Sequence, residues 1–223
     1  MNKILVNDFK IEESEDSLDS CLLIIQNKKK LYKVLMNLDS DFEDTPFIKI
    51  IDNSYKLLKN SDYIDYIPNL LLIDVNTKKN INALLRQIKV VSSGEIKKTC
   101  GKIVEELIDC FNNIKFESTF SLYEEIEFED DDLLKLLSIK IEDNKLDILN
   151  RLITYIKISY ELRNIKIFIT FNIYSLLEDE EINLLIKETK LLGVKLINIE
   201  TSDVHKNNFD IKKILDKDLC LIE

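Results

Sequence analysis

Histidine is almost missing from this chain, and glycine and proline are scarce: one His, three Gly and two Pro in 223 residues. The single imidazole, His205, stands in the polar stretch TSDVHKNNFD, which reads as a surface loop with no nucleophile beside it. No G-x-S-x-G, H-E-x-x-H or G-x-G-x-x-G occurs, so the common signatures of hydrolases, zinc proteases and dinucleotide binders are excluded. Cys21, Cys100, Cys110 and Cys220 form no C-x-x-C pair; this argues against zinc and leaves four small core hydrophobes. No apolar run approaches the roughly 20 residues that span a bilayer. The opening MNKILVNDFKIEESEDS turns acidic too early for a signal peptide. A cytoplasmic protein without a membrane partner is expected.

What is present is a core and a great deal of charge. Hydrophobic residues make up 45% and charged residues 32%, which suits one large domain or one domain with an insertion. The net charge of −10 argues against nucleic acid as a partner, although it leaves room for a local basic lining.

With so little Gly and Pro, regular elements should dominate. Short apolar runs predict buried strands at Cys21–Ile25, Phe47–Ile51, Leu70–Ile73, Ile165–Phe171, Val194–Ile199 and Leu219–Ile222. Ile81, Leu84, Leu85 and Ile88 keep helical spacing. So do Ile182, Leu185 and Ile186, behind the acidic start Glu178–Glu181 that suits a helix N-terminus. Alternating strands and helices predict an α/β fold with a largely parallel sheet covered on both faces. From about Glu95 to Arg163 the pattern turns helical, with stripes at Ile103, Val104, Leu107, Ile108 and Phe111 and at Leu149, Leu152, Ile153, Ile156 and Tyr160. The expected organisation is a head formed by residues 1–94 and 164–223, interrupted by a helical insertion over 95–163. Lys28, Lys29 and Lys30 read as a solvated turn between a strand and a helix.

Leu70–Ile73 followed by Asp74 has the look of a Walker-B strand, but its partner motif is missing. The nearest glycine-lysine segment, Gly94 … Gly101-Lys102-Ile103, has six residues between the glycines, and Ile103 replaces the magnesium-binding hydroxyl. A working ATPase is not expected.

Seven of the nine residues from Glu124 to Asp132 are acidic. Strand periodicity would put Glu125, Glu127 and Glu129 on one face, with Asp130, Asp131 and Asp132 opening the next helix. Carboxylates this close repel one another unless they are solvated, capping or neutralised. The segment is therefore either a solvated strand face and helix start, or a site for a hard cation such as Ca²⁺. It is not an EF-hand, since the central Gly and terminal Glu are missing. Two lysine pairs oppose the net charge. Lys56 and Lys59 would share a face if helical. Lys78 and Lys79 follow the N-cap candidate Asn76-Thr77, where cations are disfavoured but an anionic partner is welcome. Both pairs can also be read as ordinary surface lysines.

The segments IIDNSYKLLKNSD (50–62), LLLIDVNTKKNINALLRQIK (70–89), IEFEDDDLLKLLSIKIE (126–142) and IKIFITFNIYSLLEDEEINLLIKETKLLGVKLINIE (165–200) together resemble the CRISPR-associated adaptation proteins of the Csn type, the accessory proteins that mark subtype II-A loci. That resemblance implies a P-loop-ATPase-like head without functional nucleotide motifs and an inserted α-helical leg. It implies a homotetrameric ring with a lysine-lined hole for double-stranded DNA ends, stabilised by Ca²⁺. It further implies work in spacer acquisition beside the adaptation integrase and the RNA-guided nuclease. The candidate residues are Glu125, Glu127, Glu129, Asp130 and Asp131 for calcium, and Lys56, Lys59, Lys78 and Lys79 for DNA, with no catalytic residue. Alternatives are a metal-dependent nuclease using the acidic cluster and a pure interaction scaffold in the adaptation complex.

Overall fold

The computed structural model of the chain describes residues 2–14, 17–39, 46–123, 138–142, 147–204 and 207–222, with the side chains of Asn7 and Ser93 left aside. Its contacts divide it into two compact units: Met1–Val75 with Asp143–Glu223, and Asn76–Glu142.

The first unit is α/β. Its main sheet has six strands: β3 (Cys21–Ile25), β5 (Ile64–Ile67), β6 (Ile167–Phe171), β7 (Lys195–Glu200), β8 (Ile211–Leu215) and β9 (Leu221–Ile222), in the order β5-β6-β7-β3-β8-β9. All neighbours run parallel except the closing β8–β9 pair. Of the central strands, β3 reads as an unbroken apolar run, whereas β7 buries Lys195, Asn198 and Glu200 among its apolar residues. Every residue of β3 is buried, because a parallel strand in mid-sheet must be apolar on both faces. A second, three-stranded antiparallel sheet, β2-β1-β4, is formed by β1 (Lys3–Val6), β2 (Ile11–Ser14) and β4 (Lys49–Ile51).

One face of the main sheet presents Leu23, Ile25, Ile169, Ile197 and Ile199 to Val34 of helix α1 (Lys28–Asp39), to Ile4, Val6 and Ile50 of the small sheet, and to Ile48 just before β4. Strand alternation turns Leu22, Ile24, Phe168 and Leu196, all buried, to the other face. Two helices supply apolar cover of the same unit: α3 (Ile148–Arg163) through Leu149, Leu152 and Ile156, and α4 (Asp179–Leu192) through Ile182, Leu185 and Ile186. Helix α4 begins where the acidic run predicts. The Glu181 carboxylate accepts from the Glu178 N–H at 2.8 Å, and Gly193 closes the helix at φ +74°, a conformation glycine adopts without a Cβ penalty.

The second unit is dominated by α2 (Lys78–Glu117), 40 residues long and broken at Ser92, whose φ of −114° and ψ of 19° are not helical. The Ser92 hydroxyl donates to the Ile88 carbonyl at 2.5 Å, a back-bond that bends helices. Beyond the break, Ile96 and Cys100 pack with Leu85, Ile88 and Ile139. The Asn76 side chain clasps the backbone of Ile141, accepting at 2.7 Å and donating at 3.0 Å. Farther along, Leu107, Ile114 and Phe116 are exposed.

Several expectations need correction. The helical insertion does not run over 95–163: its helix starts at Lys78, and α3 belongs to the sheet unit. The reason is both apolar and polar. Tyr155 and Arg163 of α3 donate to Asp65 of edge strand β5 at 2.8 and 2.5 Å, while the Leu149–Ile156 stripe is buried. Leu70–Leu72 is a 3₁₀ turn and not a strand. Asn69 accepts from the Leu71 N–H at 2.9 Å, Pro68 precedes it, and the strand of that region is β5. Asp74 therefore ends no strand. Lys28–Lys30 form the first turn of α1, whose Lys30 N–H is capped by Asn27 Oδ1 at 3.0 Å, and Lys30 pairs with Asp8 at 2.7 Å.

Candidate nucleic-acid interface

The four lysines singled out in the sequence are all exposed. None of their ammonium groups has an ion-pair partner among the described residues. Lys56 and Lys59 are not on a helix, contrary to expectation. Lys56 closes a tight hairpin that joins β4 to Leu57, which bridges back to Ile51. Asp52 builds that turn. Its Oδ1 accepts from the N–H groups of Ser54 and Lys56 at 2.8 and 2.9 Å, its carbonyl accepts from Tyr55 at 3.0 Å, and its N–H donates to the Lys56 carbonyl at 3.0 Å. Lys59 is extended (φ −76°, ψ 119°) and precedes a 3₁₀ turn at Asn60–Asp62. At the tip, Tyr55 is 86% exposed with φ +61°. A side chain in this left-handed region costs about 1–2 kcal/mol. Nothing in the apolar periodicity singles out Tyr55; the turn chemistry of Asp52-Asn53-Ser54 was the available signal.

Lys78 and Lys79 lie where the sequence puts them, as the first two residues of α2. Thr77 is the N-cap, and its hydroxyl accepts from the Asn80 N–H at 3.2 Å. These two lysines belong to the second unit, Lys56 and Lys59 to the first. The proposed calcium ligands Glu125, Glu127, Glu129, Asp130 and Asp131, and also His205, lie outside the described residues. Among the described residues no group of three or more His, Cys, Asp or Glu is placed to hold a metal ion.

At the carboxyl end of the parallel sheet, where α/β proteins bind ligands, the chain has no glycine-rich phosphate loop after β3. Only Gln26 and Asn27 join β3 to α1. Gly94, Gly101 and Lys102 lie within α2, where their backbone amides belong to the helix. The polar feature of this end is a buried chain. Thr170 donates to Asn198 Oδ1 at 3.0 Å, Asn198 Nδ2 donates to Glu200 Oε1 at 2.9 Å, and Glu200 also accepts from the Tyr174 N–H at 3.2 Å. Burial raises the Glu200 carboxyl above its ordinary value of 4.5, against the hydrogen bonds that favour its ionised form. The folded state therefore holds this proton to higher pH than the unfolded state, and stability falls as pH rises from about 4.5 through the raised value. Glu200→Gln keeps the acceptor and removes the charge. Its melting temperature should exceed the parent's at neutral pH, with the difference vanishing at acid pH. A lower melting temperature at both pH values would mean that the charge is fully compensated.

The geometry defines an α/β protein whose parallel sheet lacks a phosphate loop and whose chain is interrupted by a second, helical unit. A family model described as CRISPR-associated protein (Cas_Csn2) matches residues 41–219, and the chain belongs to that family. No curated protein matches it. Among solved structures it is similar to an ATP-binding cassette of an ABC transporter in its ADP conformation, with 15% identity, a TM-score of 0.45, and coverage of 96% of this chain and 86% of that one. It is also similar to a protein described as an ABC transporter ATP-binding protein from Pyrococcus furiosus, with 10% identity, a TM-score of 0.41 and 96% of both chains covered. At these scores the likeness carries no argument about nucleotide chemistry. No helix among the described residues is long and apolar enough to cross a membrane.

Proposed function

We propose that this protein is a non-catalytic, calcium-stabilised ring of four copies that binds the ends of double-stranded DNA during CRISPR spacer acquisition. It would act in the cytoplasm of subtype II-A systems, beside the adaptation integrase and the RNA-guided nuclease. Membership of the Cas_Csn2 family supports the CRISPR setting. The observation that carries DNA binding is the exposure of Lys56, Lys59, Lys78 and Lys79 without ion-pair partners among the described residues, in a chain of net charge −10. In so acidic a protein, free cations are the groups to which phosphates are attracted, and the acidic remainder repels DNA elsewhere. Lys78 and Lys79 add a second attraction, because helix geometry gives their amides no intrahelical acceptor.

Calcium is assigned to Glu125, Glu127, Glu129, Asp130 and Asp131 on the chemistry of the donor set. All five are carboxylates, which suit a hard divalent cation. Bound calcium would cancel their mutual repulsion and stabilise the native assembly by about 2.7 kcal/mol at 100-fold excess over the dissociation constant. The test is sedimentation and melting of the pure chain in Ca²⁺ and in chelator, with and without linear duplex. The four-chain species and the higher melting temperature should need Ca²⁺, DNA should sediment with that species, and Glu127→Gln should shrink the thermal gain. A melting curve indifferent to millimolar Ca²⁺ would return the acidic segment to a solvated surface.

A further inference from the structure

Tyr55 combines a costly backbone with a ring left largely uncovered, its phenol close enough to Lys3 to interact electrostatically. The turn that holds it is closed by four hydrogen bonds to Asp52, none of which uses the tyrosine side chain. Glycine or asparagine would take the same φ of +61° with less strain. At 86% exposure the ring returns almost nothing by burial. Burial of the ring therefore does nothing to offset the strain, which the hydrogen bonds of the turn hold in place, and a partner that covered the ring would supply the missing burial. Lys56 is the next residue and Lys59 follows three positions on, both exposed, so the partner must tolerate cations beside a flat apolar face. Nucleic acid offers both features, since phosphates meet the lysines and a base meets the ring.

We propose that Tyr55 stacks on the terminal base pair of the bound DNA. This rests on the DNA-end reading above and adds a chemical reason for end preference. Bases inside a duplex are already stacked on both faces, whereas the last pair has one face free. Phosphate contacts by Lys56 and Lys59 are the same at an end and in the middle, so the ring supplies a contact that only an end can satisfy.

The full chain is titrated with blunt duplexes carrying 2-aminopurine either at the terminal pair or in the interior. The terminal probe should change its fluorescence on binding and the interior probe should not. Tyr55→Gly should abolish the terminal signal and weaken binding to blunt duplex about tenfold, within the range of one lost stacked base. It should also melt higher than the parent, because the strain is relieved. Tyr55→Phe should keep the signal and the affinity. Equal affinity and equal terminal signal for the parent and Tyr55→Gly would overturn the stacking contact while leaving DNA binding intact. Failure of the parent itself to bind duplex would overturn the DNA reading and this contact with it.

Discussion

A plasmid cut once should become a ligand that the uncut circle is not. If four copies close a ring around DNA, a covalently closed circle offers no end to thread, and the two forms differ only in having ends. The phosphate contacts on either form are the same, lysine ammonium groups with no base identity to read, and only a cut form offers a terminal pair to Tyr55. Binding should therefore be indifferent to sequence and steeply dependent on salt. Each neutralised phosphate contributes a slope of about −0.9 in log affinity against log salt. With six to ten phosphates contacted, affinity should fall by roughly 10³ to 10⁵ between 50 and 200 mM salt. Lys56→Ala with Lys59→Ala should flatten the slope by about 0.9 for every phosphate contact removed, without dissociating the oligomer. Substituting Lys78 and Lys79 should do the same from the other unit. Equal affinity for circle and line would place the DNA on an open surface and end the threading mechanism, whatever the slope. A salt slope unchanged by all four substitutions would show that other cations hold the phosphates.

What could be read in the sequence depended on whether an element's chemistry is local. Strand β3 is legible because a mid-sheet strand is apolar on both faces and Cys21–Ile25 has no polar residue to confuse the pattern, while β6 and β7 show through their apolar Ile, Leu and Phe residues. Strand β5 is not, because Ile-Asp-Tyr-Ile carries Asp65, whose charge is satisfied by Tyr155 and Arg163, some 90 and 98 residues away in sequence. Strand β8, Ile-Lys-Lys-Ile-Leu, is hidden because Lys212 and Lys213 break its apolar run. Leu70–Ile73 looks more like a strand than β5 does, yet Pro68 and the Asn69 cap commit it to a 3₁₀ turn. Helix starts fared better, since Thr77 and Glu181 accept from amides only three residues away, Asn80 ahead and Glu178 behind. In the candidate site, the Lys78–Lys79 pair was placed by its cap. The Lys56–Lys59 pair was misplaced, because spacing alone suggested a helix where Asp52 folds a hairpin.

Replacing Lys195 with methionine should be among the most damaging single changes in the sheet unit. Its side chain is 2% exposed at the first position of β7, and its ammonium pairs with Glu13 of β2, itself 14% exposed, while donating to the Asp19 carbonyl at 2.6 Å. The pair joins the small antiparallel sheet to the main one. Methionine fills the space of the aliphatic stem but leaves the Glu13 carboxylate largely buried with no counter-charge, a loss of about 3–5 kcal/mol. Against a total stability of roughly 5–15 kcal/mol, that is enough to unfold a sizeable share of the chain on warming. The cost should arise from the stranded charge and not from the lost attraction, so adding Glu13→Leu to Lys195→Met should restore most of it. Urea unfolding in chelator measures both steps. Cys21 gives an independent report: it is fully buried beside this pair, and burial pushes its thiol up to about 11, so it is inert while the sheets stay closed. Alkylation of Cys21, followed on its own peptide apart from exposed Cys110 and Cys220, should be fast in Lys195→Met and slow again in the double variant. Stability within about 1 kcal/mol of the parent for Lys195→Met, below the cost of stranding a buried charge, together with slow alkylation, would mean that water reaches Glu13 and that apolar packing alone joins the two sheets.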